Sequence, residues 1–223
     1  MAKINSINNK SGSLEVDSGA SGDSYVQFSI NTTGEFRIGV DDDDGDAFKI
    51  SQGSALGSND MFVMTATGEC TMPLQPAFLA YLGTTDNNVT GDGSVYTFGG
   101  GNALTEVFDQ NSDFNTNGTF TAPITGRYLF IGAIEVSSLN TSHTLGLLYF
   151  NSSNGKYRCD RCDPGNIGVY SGMQFCGNVL IDMDASDTCI INLMILNSTK
   201  VVDAVADPPA TGACSYFSGY LAC

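Results

Sequence analysis

The apolar runs of this chain either alternate with polar residues or stop within strand length, and nearly all are closed by Gly, Asn or Asp. An amphipathic helix repeats its apolar positions every three to four residues, and no stretch does so. The first runs are SYVQFSI (24–30), EFRIGV (35–40), AFKIS (47–51) and MFVMTA (61–66). In SYVQFSI, Val26, Phe28 and Ile30 alternate with Tyr25, Gln27 and Ser29, which makes one face apolar and the other wet. Gly supplies 26 of 223 residues while the helix formers are scarce. The expectation is an all-β chain.

TMPLQP (71–76) carries two prolines, which cannot donate to a strand ladder, and sets a boundary. Before it, residues 1–20 are polar and read as an extended attachment arm, and 21–76 as a small β-rich region whose core is too small to be comfortable alone. After it, strands are denser: FLAYL (78–82), SVYTF (94–98), ALTEVFD (103–109), GTFTA (118–122), GRYLFIGAIEV (126–136), TLGLLYF (144–150), GMQFCGNVLIDM (172–183), TCIINLMIL (188–196) and CSYFSGYLA (214–222). Residues 77–223 are therefore expected to form a β-sandwich or jelly roll. In GRYLFIGAIEV the alternation fails, because Tyr128, Phe130, Ile134 and Val136 oppose Leu129, Ile131 and Ala133. A sandwich strand buries one such face against the opposite sheet; covering the other calls for a neighbouring subunit, so an oligomer is expected.

Nine Lys and Arg face 24 Asp and Glu, a formal charge of −15, which argues against nucleic acid and anionic membrane surfaces as partners. The start, MAKINSINNKSGSLEV, has no apolar core of signal-peptide length, and no run is long enough to span a membrane; synthesis in a cytosol without membrane insertion is expected. With no leader, the seven cysteines read as free thiols by default.

At this point the residues carry a resemblance. Phe78 and Ala80, Phe108 and Asp109, the run Gly118, Phe120, Thr121, Pro123, Gly126, Tyr128 and Phe130, and the closing Phe217, Ser218, Gly219, Tyr220 and Leu221 stand in the order found in complement C1q globular heads, relatives of tumour necrosis factor. The C1q/TNF-like resemblance covers 77–223 and implies a ten-stranded jelly-roll β-sandwich that assembles as a homotrimer. It further implies that Gly118 and Gly126 make tight turns, and that Phe78, Phe120, Tyr128, Phe130, Phe217 and Tyr220, with Gly219, belong to the core or the three-fold seam. The preceding stretch, DSYVQFSINTTGEFRIGVDDDDGDAFKIS followed by ALGSNDMFVMTATGE, resembles segments of bacteriophage tail fibres and tail spikes.

Chemistry is thinly represented. In DDDDGD (41–46), aligning Gly45 with the invariant glycine of a calcium loop puts Val40 and Ser51 at the first and last ligand positions. An acidic turn is the better reading; Asp42, Asp44 and Asp46 are the candidates a trimer axis would offer a cation, and no metal or cofactor is expected. CDRC (159–162) has metal or redox spacing but lacks a second such pair, leaving free thiols, a late disulfide or a metal as readings. His143 is the single histidine, and no nucleophile or phosphate motif accompanies it, so an enzyme is not expected. Lys156, Tyr157, Arg158 and Arg161 lie in NSSNGKYRCDRCDPGN (151–166), read as a long loop whose positive charge suits anionic or hydroxylated sugars.

Together these features lead to a non-enzymatic virion protein: a homotrimeric bacteriophage tail fibre, made in the host cytoplasm, joined through its N-terminus to other tail or baseplate proteins. Its head would bind a host surface glycan or protein. The alternatives are a secreted C1q/TNF-like or lectin-like ligand and a polysaccharide depolymerase at a fibre tip.

Overall fold

The computed structural model describes residues 15–19, 21–30, 33–167, 172–207, 210 and 212–223, so most of the expected arm, residues 1–20, lies outside the described residues. The chain divides into two compact units, residues 1–74 and 75–223.

The first unit is one antiparallel sheet of five strands in sequence order: β1 (Ser24–Ile30), β2 (Thr33–Asp41), β3 (Ala47–Gln52), β4 (Asp60–Met64) and β5 (Cys70–Thr71). Register places Val26, Ile38, Ile50 and Phe62 in one cross-strand row and Val40, Phe48 and Met64 in the next, with Phe28 opposite Phe36. None of these apolar residues is buried. The other face is the covered one: Arg37, Lys49, Ser51 and Asp41 are buried there, and Leu56 is buried in the β3–β4 loop, whose Gly57 N–H donates to Ser51 Oγ at 3.3 Å. A single sheet has one loop layer available, and here it covers the polar side.

The second unit is a jelly roll. Its strands are β6 (Ala77–Tyr81), β7 (Asp86–Thr90), β8 (Val95–Thr97), β9 (Thr105–Asp109), β10 (Phe114–Asn115), β11 (Thr119–Thr121), β12 (Gly126–Ser137), β13 (Leu145–Ser152), β14 (Gly155–Cys162), β15 (Met173–Met183), β16 (Thr188–Leu196), β17 (Val202–Ala204) and β18 (Tyr216–Leu221). Ten of them form two five-stranded antiparallel layers, ordered β9-β6-β18-β12-β15 and β10-β11-β16-β13-β14. From β11 onward the chain crosses repeatedly between the layers, the winding that defines a jelly roll. The short β17–β7 pair continues beside the far end of β12, and β8 adds to β16.

The aromatics found by sequence sit between the layers. Phe78, Phe120, Tyr128, Phe130 and Phe217 are all essentially inaccessible. Phe78 stacks on Phe114 at 4.4 Å between ring centres, and Phe120 meets Phe130 edge-on at 5.3 Å, each contact bridging one layer to the other. Each such ring contributes about 2 kcal/mol by burial alone. Gly219 is required by this packing: an added Cβ would lie 2.6 Å from Phe130 Cδ1 and 2.8 Å from Phe78 Cε1. Gly118 does supply a turn, with φ +87 and no room for a side chain against the Phe98 carbonyl. Gly126 does not; it opens β12, where the chain end lies alongside and Arg127 N–H donates to Cys223 O at 2.8 Å.

Candidate functional site

The stretch 151–166, expected to be a long loop, is instead the end of β13, a two-residue turn, the whole of β14 and, after Asp163, most of a 3-10 turn (Pro164–Ile167). Its charges hid it, because alternating Lys, Arg and Asp lack the apolar rhythm of a buried strand, yet suit an exposed edge. Among the described residues β14 pairs only with β13, in the register Asn151 with Lys156, Tyr149 with Arg158 and Leu147 with Arg161. Arg158 and Arg161 are three apart and would point to opposite sides of a regular strand. A bulge between Leu148 and Tyr149 absorbs Cys159 and returns both to one side.

Lys156, Arg158 and Arg161 therefore share the outer face of the second layer, all exposed, while Tyr157 turns inward against the core. The sequence grouping is thus divided: three cations come together and the tyrosine beside them in sequence leaves. The aromatic that joins them is Tyr149, whose ring lies 5.5 Å from Lys156 Nζ. With Leu147, Arg158 and Met194 these residues line an open cleft of about 230 Å³. Asn192, opposite Tyr149 on β16, is held by Thr97 Oγ1, which accepts from its side-chain amide at 2.9 Å. Burial raises the Tyr149 hydroxyl above its ordinary value, so the ring presents a neutral phenol. Among the described residues none of the three cations is in an ion pair. A neighbouring cleft of about 290 Å³ runs between Arg161, Thr144, Leu145 and Asp163.

The outer face of the first layer has the opposite character. Rows across it read Leu180, Leu129 and Tyr220; Asn178, Ile131, Ser218, Leu79 and Phe108; and Cys176, Ala133, Tyr216 and Tyr81. No charged residue falls in these rows, and Leu180, Tyr220 and Phe108 are about half exposed. Tyr220, which the resemblance places in the core or the three-fold seam, lies on this outer face. An apolar hollow of about 270 Å³ lies between Leu79, Tyr81, Val107, Ala213 and Tyr216.

Two carboxylates of the acidic turn, Asp41 and Asp44, share one cation with Asp60. Asp42–Asp44 forms one 3-10 turn, and Lys49 Nζ lies 2.8 Å from Asp41, 2.6 Å from Asp44 and 3.2 Å from Asp60. Burial alone would lower the lysine, but the hydrogen bonds its ammonium donates to the three carboxylates more than offset it and hold it well above its ordinary value. Asp42 accepts from Gly22 N–H, and no cluster of three or more metal-binding side chains is assembled among the described residues.

All seven cysteines are free thiols. Cys159 Sγ lies 3.5 Å from Asn178 O whereas Cys162 Sγ lies 3.8 Å from Met173 Sδ, so the CDRC thiols do not converge. Burial, with Asp160 and Asp163 nearby, pushes Cys162 up to about 11, which disfavours the thiolate that metal binding or exchange requires. His143 is buried, its Nδ1 accepting from Asn140 N–H at 2.9 Å in a tight turn.

Neither a family model nor a curated protein sequence matches the chain. Solved structures similar to it include the globular domain of zebrafish complement 1qA, at 16% identity and TM-score 0.42, covering 67% of this chain and 98% of that one. Murine APRIL is similar at 8% identity and TM-score 0.43, covering 66% and 98%. The Eiger TNF of S. frugiperda is similar at 11% identity and TM-score 0.43, covering 67% and 93%. The jelly-roll assignment stands on the strand order itself.

Proposed function

We propose that the protein is a homotrimeric bacteriophage fibre whose jelly-roll head touches the host cell surface and whose N-terminal part joins the virion. The observation that carries this reading is that both units leave apolar rows of a sheet face open, the charges of the head's face, Arg127, Asp182 and Glu135, being confined to its two ends. Phe28, Phe36 and Met64 mark these rows in the first unit, and Leu180, Ile131 and Tyr220 in the second. Monomers rarely present two such faces, and a symmetric assembly of copies covers both at once. With the first layer of the head turned towards the three-fold axis, the second layer and its basic cleft look outward in every copy. The fibre-like N-terminal sequence supplies the virion context, and the head works by binding, with no chemical step.

Light scattering on the full chain tests the assembly: a molar mass about three times the 23.5 kDa of one chain is expected, and a monomer would overturn it. Labelled full-length protein should then adsorb to some members of a bacterial strain panel, and phage particles of matching host range should carry it. A secreted C1q/TNF-like ligand is the second reading, favoured by strand order. Its sequons at Asn88, Asn117, Asn140 and Asn197 are exposed, so glycan mass on natively produced protein would support that reading and retire the fibre.

A further inference from the structure

We propose that the cleft on the outer face of the β13–β14 hairpin binds an acidic sugar unit, a carboxylate-bearing pyranose of a surface polysaccharide. This deepens the receptor-binding reading given above and rests on it only for the origin of the ligand.

Three features select this chemistry. Tyr149 offers a ring face flanked by Leu147 and Met194, a surface for the C–H face of a pyranose. Lys156 stands over one face of that ring and Arg158 lies beside Tyr149 in the β13–β14 register, neither with a carboxylate partner among the described residues, and Arg158 is free to engage a carboxylate with two donors. The cleft, at about 230 Å³, is smaller than the pockets that take drug-sized molecules and fits a single sugar ring.

Charge then decides between anions. After Gln75 the chain has five basic residues, Arg127, Lys156, Arg158, Arg161 and Lys200, and three of them lie on this strand face. Arg127 is 3.8 Å from Asp182, at the other layer. Asp163 sits beside Arg161 in the neighbouring cleft, so Lys156 and Arg158 are the principal pair. In a chain of net charge −15, a densely charged polyphosphate or nucleic acid is repelled by the rest of the surface. An anion with one charge per sugar ring is matched by the cleft alone. Single-site binding is expected to be weak, with copies in an assembly adding avidity.

The test uses full-length protein and calorimetry against three probes: oligogalacturonate, its methyl ester, and polyphosphate. Oligogalacturonate should bind, esterification should weaken it roughly tenfold or more, and raising salt should weaken it further. The pair K156Q and R158Q, both exposed, should reduce binding roughly tenfold or more with an unchanged melting temperature, and R161Q should do less. Y149F should leave it nearly unchanged if the ring face is the contact, and Y149S should remove it. Equal binding of acid and ester, tighter binding of polyphosphate, or indifference to K156Q/R158Q would each overturn the cleft. If the double variant adsorbs to cells like the parent, the cleft fails and the fibre stands. If uronate binding behaves as described but no strain adsorbs the parent, the cleft stands and the fibre fails.

Discussion

The two units use β-structure in opposite ways. The head folds ten strands into two layers and puts its rings between them; Phe78, Phe130 and Phe217 are sealed from solvent by the protomer itself. Among the described residues the N-terminal sheet has no second layer, and its loop covers the polar face, burying a lysine among three carboxylates while Phe28 and Val26 stay exposed. Apolar alternation in a sequence therefore specifies which residues share a face, but not that the protomer covers that face. What covers it is a separate question, answered by layer count.

The largest expected effect contrasts one phenylalanine from each unit. Phe130→Ala should destabilise the head by about 3–5 kcal/mol, since it empties a site ringed by Phe120, Tyr128, Phe150 and Phe217. That loss is internal to the protomer and should not vary with protein concentration. Phe28→Ala should cost about 2 kcal/mol or less, and the cost should appear as a concentration-dependent shift in melting, because in the proposed assembly that ring is covered by other copies. Calorimetry at two concentrations separates them. A concentration-independent loss at Phe28 would mean that the protomer covers its own apolar sheet after all.

Next in size is the buried charge. Lys49→Ala should lower the stability of the N-terminal unit by about 3 kcal/mol, because buried Asp41 and half-buried Asp60 would be left without their cation. The folded state holds the Lys49 proton more tightly than the unfolded chain does. Its contribution is therefore complete below the ordinary lysine value of about 10.4 and is lost as pH rises beyond it. Hydrogen exchange of the β3 amides, followed from neutral to strongly alkaline pH, should give a plateau and then a decline; in Lys49→Ala the alkaline decline should be absent. A parent that weakens well below that value would show that the ammonium is not the anchor.

These contrasts also explain what the sequence revealed. The head was legible because its aromatics stand in the order of the C1q/TNF-like motif, and it is that resemblance that placed Phe78, Phe120, Tyr128, Phe130 and Phe217 in the core or the three-fold seam. Tyr220 shares their motif but faces away, since Gly219 intervenes to make space for two rings. β14 escaped because an edge strand carries charge where a central strand carries Val or Ile. The cleft escaped further: the Cys159 bulge that aligns Arg158 with Arg161 leaves no mark in composition, and Tyr149 and Met194 come from neighbouring strands. DDDDGD reads from the sequence as an acidic turn, and what that reading leaves open is its partner Lys49, eight residues beyond Asp41 and brought to it across the β2–β3 pair.

The smallest perturbation tests both open faces at once and leaves the fold intact. Cys70 pairs with Met64 on the apolar side of the first sheet, and Cys176 pairs with Ala133 on the outer side of the head's first layer; both are exposed in the protomer, as is Cys223 at the chain end. Cys162 and Cys189 are slow by construction, because burial pushes both thiols above their ordinary values. A water-soluble thiol reagent at neutral pH should therefore modify Cys223 quickly in every state. Cys70 and Cys176 should react quickly in dilute monomer and slowly in the assembled protein, with peptide mass mapping to assign each site. Protection of Cys176 without Cys70 would confine the copy-to-copy contact to the head, leaving the N-terminal apolar face for a different protein. Fast labelling of both in a sample of trimer mass would place the interface elsewhere and remove the argument that the open faces drive assembly.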